Sequence, residues 1–183
     1  MTSLTRLAGA RVRLRPLAPT DLDRLAAYRS DPEVARHQAW DSYDATAASA
    51  LITEMADSTP GCPGHWHQWG IEEITSAQLV GDCGLFTRED GAQGEIGFTL
   101  APDAQGRGLA TEAVSLVLQA AFGPLGFHRV VANTDPSNTR SAALLTRLGF
   151  RHEGRSIESV RIRGEWVDDE HFALLAREWR ARG

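Results

Sequence analysis

The order of secondary-structure signals predicts an α/β fold of the mixed α+β kind, a central mixed sheet with helices on its faces. Three observations predict it. The middle of the chain reads as consecutive strands joined by turn residues. A strand-helix-strand-helix-strand unit follows. The 183 residues, 42% of them hydrophobic, suit one domain spanning residues 1–183. A chain of this size buries roughly 70% of its unfolded surface, enough for a full core.

The elements follow in order. Val12, Leu14 and Leu17 suggest a first strand, with Arg11, Arg13 and Arg15 on its other face. Thr20 is placed to cap a helix, with Asp21 and Asp23 in its first turn and Leu22, Leu25 and Ala26 as its buried stripe. A second helix covers residues 44–56, where Ala48, Leu51, Ile52 and Met55 keep helical spacing. Residues 58–64, with two prolines and two glycines, form a loop. Strands cover residues 67–73, 79–87 and 93–100, and Glu89-Asp90-Gly91 turns the last pair. Ala110, Ala113, Val114, Val117, Leu118 and Ala121 mark a helix. Residues 128–133 form a strand, and residues 141–148 a helix ended by Gly149. Two strands over residues 151–163 and 165–175, turned at Gly164, close the chain.

Composition excludes several functions. A net charge of -5 argues against a nucleic-acid partner, which needs a basic surface. Cys62 and Cys83 form no CxxC pair. No window reaches the length of a membrane span, and residues 1–11 lack the apolar core of a signal peptide. A cytoplasmic protein with two reduced thiols, no membrane partner and no metal is expected. His65 and His67 share a face of an extended segment, but no carboxylate or thiol joins them at metal-binding spacing.

The informative segment runs from Gly94-Glu95-Ile96-Gly97-Phe98-Thr99-Leu100 into Gln105-Gly106-Arg107-Gly108-Leu109-Ala110-Thr111. It reads as a strand, a short loop and a glycine-bearing helix start. The first amides of a helix lack internal partners and carry the positive end of its dipole. Gly106 and Gly108 let a ligand approach the backbone, so the segment suits a pyrophosphate. It is not a P-loop, because Leu109 follows Gly108. Nor is it a dinucleotide fingerprint, because Thr111 takes the place of the third glycine.

The run from Gln105 to Ala110 matches the Q/R-x-x-G-x-G/A pyrophosphate motif of GNAT acetyltransferases, and the chain resembles that superfamily. Asn133, Asn138 and Ser141, followed by Leu148-Gly149-Phe150, are similar to its second cofactor segment. Glu-Ile-Gly-Phe, Ala-Thr-Glu-Ala, Asn-x-x-Ser and Leu-Gly-Phe together resemble the RimJ/RimL-like branch, which acetylates protein N-termini and other amines. The likeness runs from Val12 to Trp179.

The resemblance implies a sheet whose fourth and fifth strands splay apart, with the pantetheine arm of acetyl-coenzyme A in the gap against Phe98, Thr99 and Leu100. It implies direct transfer to an amine. The proposed base of this branch falls on Glu95, and the group serving the leaving thiolate on Ser141. Leu145 replaces the tyrosine that many members use. Glu95 also reads as a solvent-facing strand residue, and Asn138 and Ser141 as helix-start residues. Glu112 reads as structural, and Arg107 as contributing its backbone. Residues 36–43 and the Gly164 hairpin are expected to wall the acceptor cleft, with Trp40 and Asp168 as acceptor-binding candidates and Trp66 and Trp69 nearby. The acceptor is left as a protein N-terminus, an amino acid, a polyamine or an aminoglycoside, and a homodimer is left open. The competing reading is a coenzyme A-binding regulatory or scaffold module without turnover.

Overall fold

The computed structural model describes residues 4–38, 40 and 42–182. Leu7–Ala8 (β1) and Val12–Pro16 (β2) form the first edge of the sheet. Val12 and Leu14 are fully buried, while Arg13 and Arg15 turn to the other face and share the Glu72 carboxylate. Leu22–Ser30 (α1), Pro32–Ala35 (α2) and Ala45–Ala56 (α3) follow. Trp66–Glu73 (β3), Gln78–Thr87 (β4) and Gln93–Leu100 (β5) form an antiparallel meander. Then come Leu109–Phe122 (α4), Arg129–Thr134 (β6) and Thr139–Arg147 (α5). Arg151–Ile162 (β7), Glu165–Leu175 (β8) and Ala176–Arg180 (α6) close the chain.

The strands make one sheet in the order β1-β2-β3-β4-β5-β6-β8-β7. Among the described residues only β5 and β6 run parallel, and they pair from Gln93 to Glu95 against Arg129 to Val131. Beyond Glu95 each strand keeps one neighbour, β4 or β8. This is the expected splay; counting β1 makes the separating strands fifth and sixth.

Cross-strand partners share a face. The pairs Asp82–Thr99, Gly84–Gly97 and Phe86–Glu95 therefore place Glu95, Gly97 and Thr99 on one side of the sheet. That side carries α1, whose Tyr28 and Arg29 bond Asp82. The other side carries α4, which buries nine residues, among them Val114, Val117 and Leu118. Burying each large apolar side chain is worth roughly 1.5–3 kcal/mol, so α4 anchors the sheet.

Several local expectations need correction. Thr20 does not cap a helix. Pro19–Asp21 is a 3-10 turn, and the Asp21 carboxylate accepts from the Ala18 amide and pairs with Arg15. The helix expected from residue 141 begins at Thr139, because the Asn138 side chain caps it through the Ser141 amide at 3.1 Å. The short elements β1, α2 and α6 were not anticipated. For α2 the signal was present, an N-capping Asp31 followed by Pro32. The β7–β8 turn is Arg163-Gly164, both at positive φ (50° and 85°), the requirement of a type I′ hairpin. No helix among the described residues is long and apolar enough to cross a membrane.

Candidate active site

Two structures meet at the splay. The first is the start of α4. Gly108, its N-cap, has φ 78°, and Gly106 before it has φ 73°. A side chain at either would be strained. A Cβ at Gly106 would meet nothing within 4 Å, so the loop faces open space. Helices α2, α3 and α5 are capped by Asp31, Asp44 and Asn138; α4 has no side-chain cap. Its amides and dipole are left to whatever anion arrives.

The loop is pinned from behind. Arg11 donates to the carbonyls of Arg107 (2.9 Å) and Gly108 (3.3 Å). Glu112 accepts from the Arg11 amide (2.8 Å) and the Arg11 Nε (2.9 Å). Partial burial pushes the Glu112 carboxyl up, but the amides of Arg11 and Val12 and the Arg11 guanidinium outweigh it and hold it below its ordinary range. Glu112 is thus a brace. The Arg107 guanidinium is tied to Glu73, so toward the open loop this residue offers its backbone. Gln105 bridges, donating to the Leu100 carbonyl (3.1 Å) and accepting from Arg140 (2.9 Å). Leu109 is buried and roots the helix start in the core, while Ala110 and Thr111 are half-buried in its first turn.

From this loop the free edge of β5, carrying Phe98, Thr99 and Leu100, leads back along the gap to Glu95. Unpaired main-chain groups on a strand edge accept an extended ligand. The Thr99 hydroxyl accepts from Gln38 at 3.4 Å.

The second structure is a cleft of about 430 Å³ on the α1 side. Glu95, Thr99, Trp40, Trp66 and Asp169 line it, with Val160, Ile162 and Val167 from the β7–β8 hairpin. Its floor is Asp82, fully buried and held by Arg29 (2.6 and 3.1 Å), Tyr28 and Gln68. The Arg29 guanidinium lies 4.8 Å from the Trp40 ring and 5.0 Å from that of Tyr43, and Trp40 Nε1 donates to the Arg29 carbonyl at 3.1 Å. A buried ion pair thereby supports the aromatic wall.

The Glu95 carboxylate accepts no hydrogen bond among the described residues. Burial raises its carboxyl above the ordinary range, and the charge of Asp169 raises it further against the pull of Arg88. A carboxylate so placed can take a proton from a group entering the cleft.

The other candidates fall unevenly. Trp40 and Trp66 line the cleft, but Trp69 is wholly buried, with its Nε1 bonded to the Leu4 carbonyl. Of the expected wall over residues 36–43, Ala39 and Asp41 lie outside the described residues. Asp168 lines the cleft but is engaged by Arg155 Nε (2.7 Å) and the Glu158 amide (2.7 Å). Asn133 lines the cleft too and meets His171 Nδ1 at 3.1 Å, on the Glu95 side rather than at the phosphate loop. Ser141 and Asn138 stand at the start of α5; neither lines the cleft that holds Glu95. His67 is buried against Trp69 and bonded to Ser58, and its pKa is lowered to about 4 by burial.

Gln38, Gln68, Asp82 and Asp135 line the cleft without having been singled out. Only Asp82 carried a signal, a lone charge inside the apolar strand Leu79-Val80-Gly81-Asp82-Cys83-Gly84-Leu85.

Known proteins bear on this geometry. The acetyltransferase (GNAT) domain family matches residues 11–151. The uncharacterised N-acetyltransferase p20 of Bacillus licheniformis is 31% identical over 172 residues, 92% of this chain and 95% of its own. The ribosomal protein uS5-alanine N-acetyltransferase of Escherichia coli strain K12 is 36% identical over 84 residues, 46% of this chain and 43% of its own. In fold, the chain matches Mycobacterium smegmatis RimJ in complex with CoA-disulfide with a TM-score of 0.80 at 24% identity, covering 91% of this chain and 83% of that one.

Proposed function

From the premise that this chain belongs to the acetyltransferase (GNAT) domain family and is an N-acetyltransferase, we propose that it moves an acetyl group from acetyl-coenzyme A directly to a primary amine, either a protein N-terminus or a small-molecule amine. One observation carries the reading. The uncapped start of α4, the free edge of β5 and the unpaired Glu95 lie along one continuous path.

The residues present fit the cofactor. The amides of residues 106–111 would hold the pyrophosphate, since two glycines at positive φ keep side chains clear and the helix dipole favours the anion. The edge of Phe98, Thr99 and Leu100 would hold the pantetheine arm as an added strand. When bound, the thioester supplies the acetyl group. Glu95 orients the amine, or a water beside it, and takes the proton that frees the nitrogen lone pair. The Glu95 carboxylate need only be ionised to work, and its raised pKa brings it closer to the amine it must deprotonate. Ser141 would serve the leaving sulfur from the start of α5, and Asn138 sets its place by capping that helix. Trp40, Trp66 and the β7–β8 hairpin would flank the acceptor.

The relative from Escherichia coli acts on a ribosomal protein alanine, which supports a protein N-terminus as one acceptor class. The direct test is release of free thiol from acetyl-coenzyme A in the presence of peptides and small amines. Amine-dependent release at rates well above hydrolysis is the expected result. Tight coenzyme A binding with no release for any amine would sink the transferase reading and favour a binding module.

A further inference from the structure

Among the described residues, five carboxylates line the cleft: Asp82, Glu95, Asp135, Asp168 and Asp169. Three have built partners. Asp82 is matched by Arg29, Asp168 by Arg155, and Asp135 faces His37 (3.6 Å) and the Ser137 amide (2.6 Å). Burial pushes the Asp135 carboxyl up, but Ser137 and His37 outweigh it and hold it below its ordinary range. Arg29, the arginine of the lining, is committed to Asp82, while His37 accepts from Arg36 through Nε2 (2.9 Å) and turns Nδ1 toward Asp135.

Glu95 and Asp169 differ. Neither side-chain carboxylate accepts a hydrogen bond among the described residues. The nearest basic group to Asp169 is His171, whose Nδ1 is 3.8 Å away and whose ring nitrogens meet Asn133 at 3.1 Å and Ser156 at 2.7 Å. Removing a carboxylate from water without a partner is costly. Here two of them face one cleft and raise its negative potential together. Val160, Ile162, Val167 and Trp66 supply an apolar wall to the same cleft, and Trp66 keeps 40% of its surface exposed. The cleft thus offers two unmatched anionic points and an apolar surface.

Resting on the amine acetyltransferase reading, we propose that the acceptor carries two ammonium groups joined by an apolar stem, and that Asp169 is the residue that selects it. One ammonium loses its proton to Glu95 and is acetylated. The other keeps its proton and pairs with Asp169, while the stem lies against the β7–β8 hairpin and Trp66. Occupation by a dication neutralises both carboxylates. A monoamine leaves Asp169 uncompensated.

The test compares α,ω-diamines of three to six carbons with monoamines of equal length, 1,4-diaminobutane against n-pentylamine among them, by thiol release. A charge-assisted hydrogen bond supports about ten- to hundredfold, and kcat/KM for the best diamine should exceed its monoamine by that factor. Asp169→Asn should bring the ratio close to one, chiefly through the diamine KM. Asp169→Glu, with a longer side chain, should keep part of the preference and move the optimum to a shorter stem. A ratio near one in the wild type, or equal losses for both amines in Asp169→Asn, would overturn the proposal; the latter is the signature of a merely structural residue. Turnover of peptides but of no diamine would overturn it and leave the acetyltransferase reading standing. Thiol release with no amine at all would overturn both.

Discussion

The loop at the start of α4 and the cleft around Glu95 lie at the same gap in the sheet but are built on opposite principles. The loop is made of backbone from one short stretch, and its side chains turn away: Arg107 to Glu73, Glu112 to Arg11. The cleft is made of side chains from α1, β3, β4, β5, β6, β7, β8 and the segment around Trp40. A backbone site suits a group that all users of one cofactor would share, such as a pyrophosphate. A side-chain site can change its partner by single substitutions. The difference implies that mutations should separate cleanly, with cofactor affinity responding to the loop and acceptor kinetics to the cleft.

The sharpest way to break that separation is Glu95→Gln. It should lower kcat about 10²- to 10⁴-fold near neutral pH, the usual loss for a general base, with cofactor affinity by calorimetry nearly intact. The pH dependence follows from the raised pKa of Glu95. A raised carboxyl stays protonated, and useless as a base, to higher pH than an ordinary one. Wild-type kcat should therefore climb as pH rises through that pKa, and the variant should lack this limb. The deficit should shrink toward high pH, where an α-amine (pKa about 8) is already neutral. Equal kcat for both proteins across the range would make Glu95 structural.

Next in size is the support beneath the aromatic wall. Arg29→Met leaves Asp82 buried without its cation and should cost about 3–5 kcal/mol of stability. The double variant Arg29→Met with Asp82→Leu should recover part of that loss in a denaturant titration, because an apolar pair can replace a buried ion pair, while the Tyr28 hydroxyl and the Gln68 amide lose their acceptor. Acceptor KM should stay raised in the double variant, since Trp40 and Tyr43 have lost the guanidinium they pack on. Recovery of KM together with stability would show that the pair serves folding alone.

The smallest expected effect lies at the loop. Gly108→Glu adds a strained residue at φ 78° and a like charge beside the phosphates. Acetyl-coenzyme A affinity should fall by about tenfold or more, the equivalent of at least 1.4 kcal/mol. In the free protein a Cβ at Gly108 meets only the Arg11 guanidinium, at 3.3 Å, a flexible group that can shift. Unchanged affinity would remove the pyrophosphate from this loop.

The two sites were also unequally legible. The sheet, its order of elements and the loop could be read from the sequence, because each depends on neighbours a few residues apart: apolar periodicity, glycines before a helix, turn residues between strands. Glu95 was legible by resemblance and Asn138 as a helix-start residue. The places of Trp69, Asp168 and Asp82 were not. Strand alternation says which residues share a face, but not which face is closed by a helix and which opens on a cleft. Trp69 went into the core because β3 lies between β2 and β4. Asp168 lost its availability to Arg155, a residue thirteen positions away that the bulged β7–β8 ladder brings beside it.

The sequence by itself determined the architecture and the glycine-bearing loop at the start of α4, since hydrogen-bonding periodicity and backbone conformation are local properties. Only the tertiary structure decided which carboxylates are neutralised and which are left open. Asp82 meets Arg29 across 53 residues, and Glu95 on β5 feels Asp169 on β8, beyond the splay of β5 and β6. Coulomb energy and burial depend on distance in space, and distance in space is set by the assembled sheet.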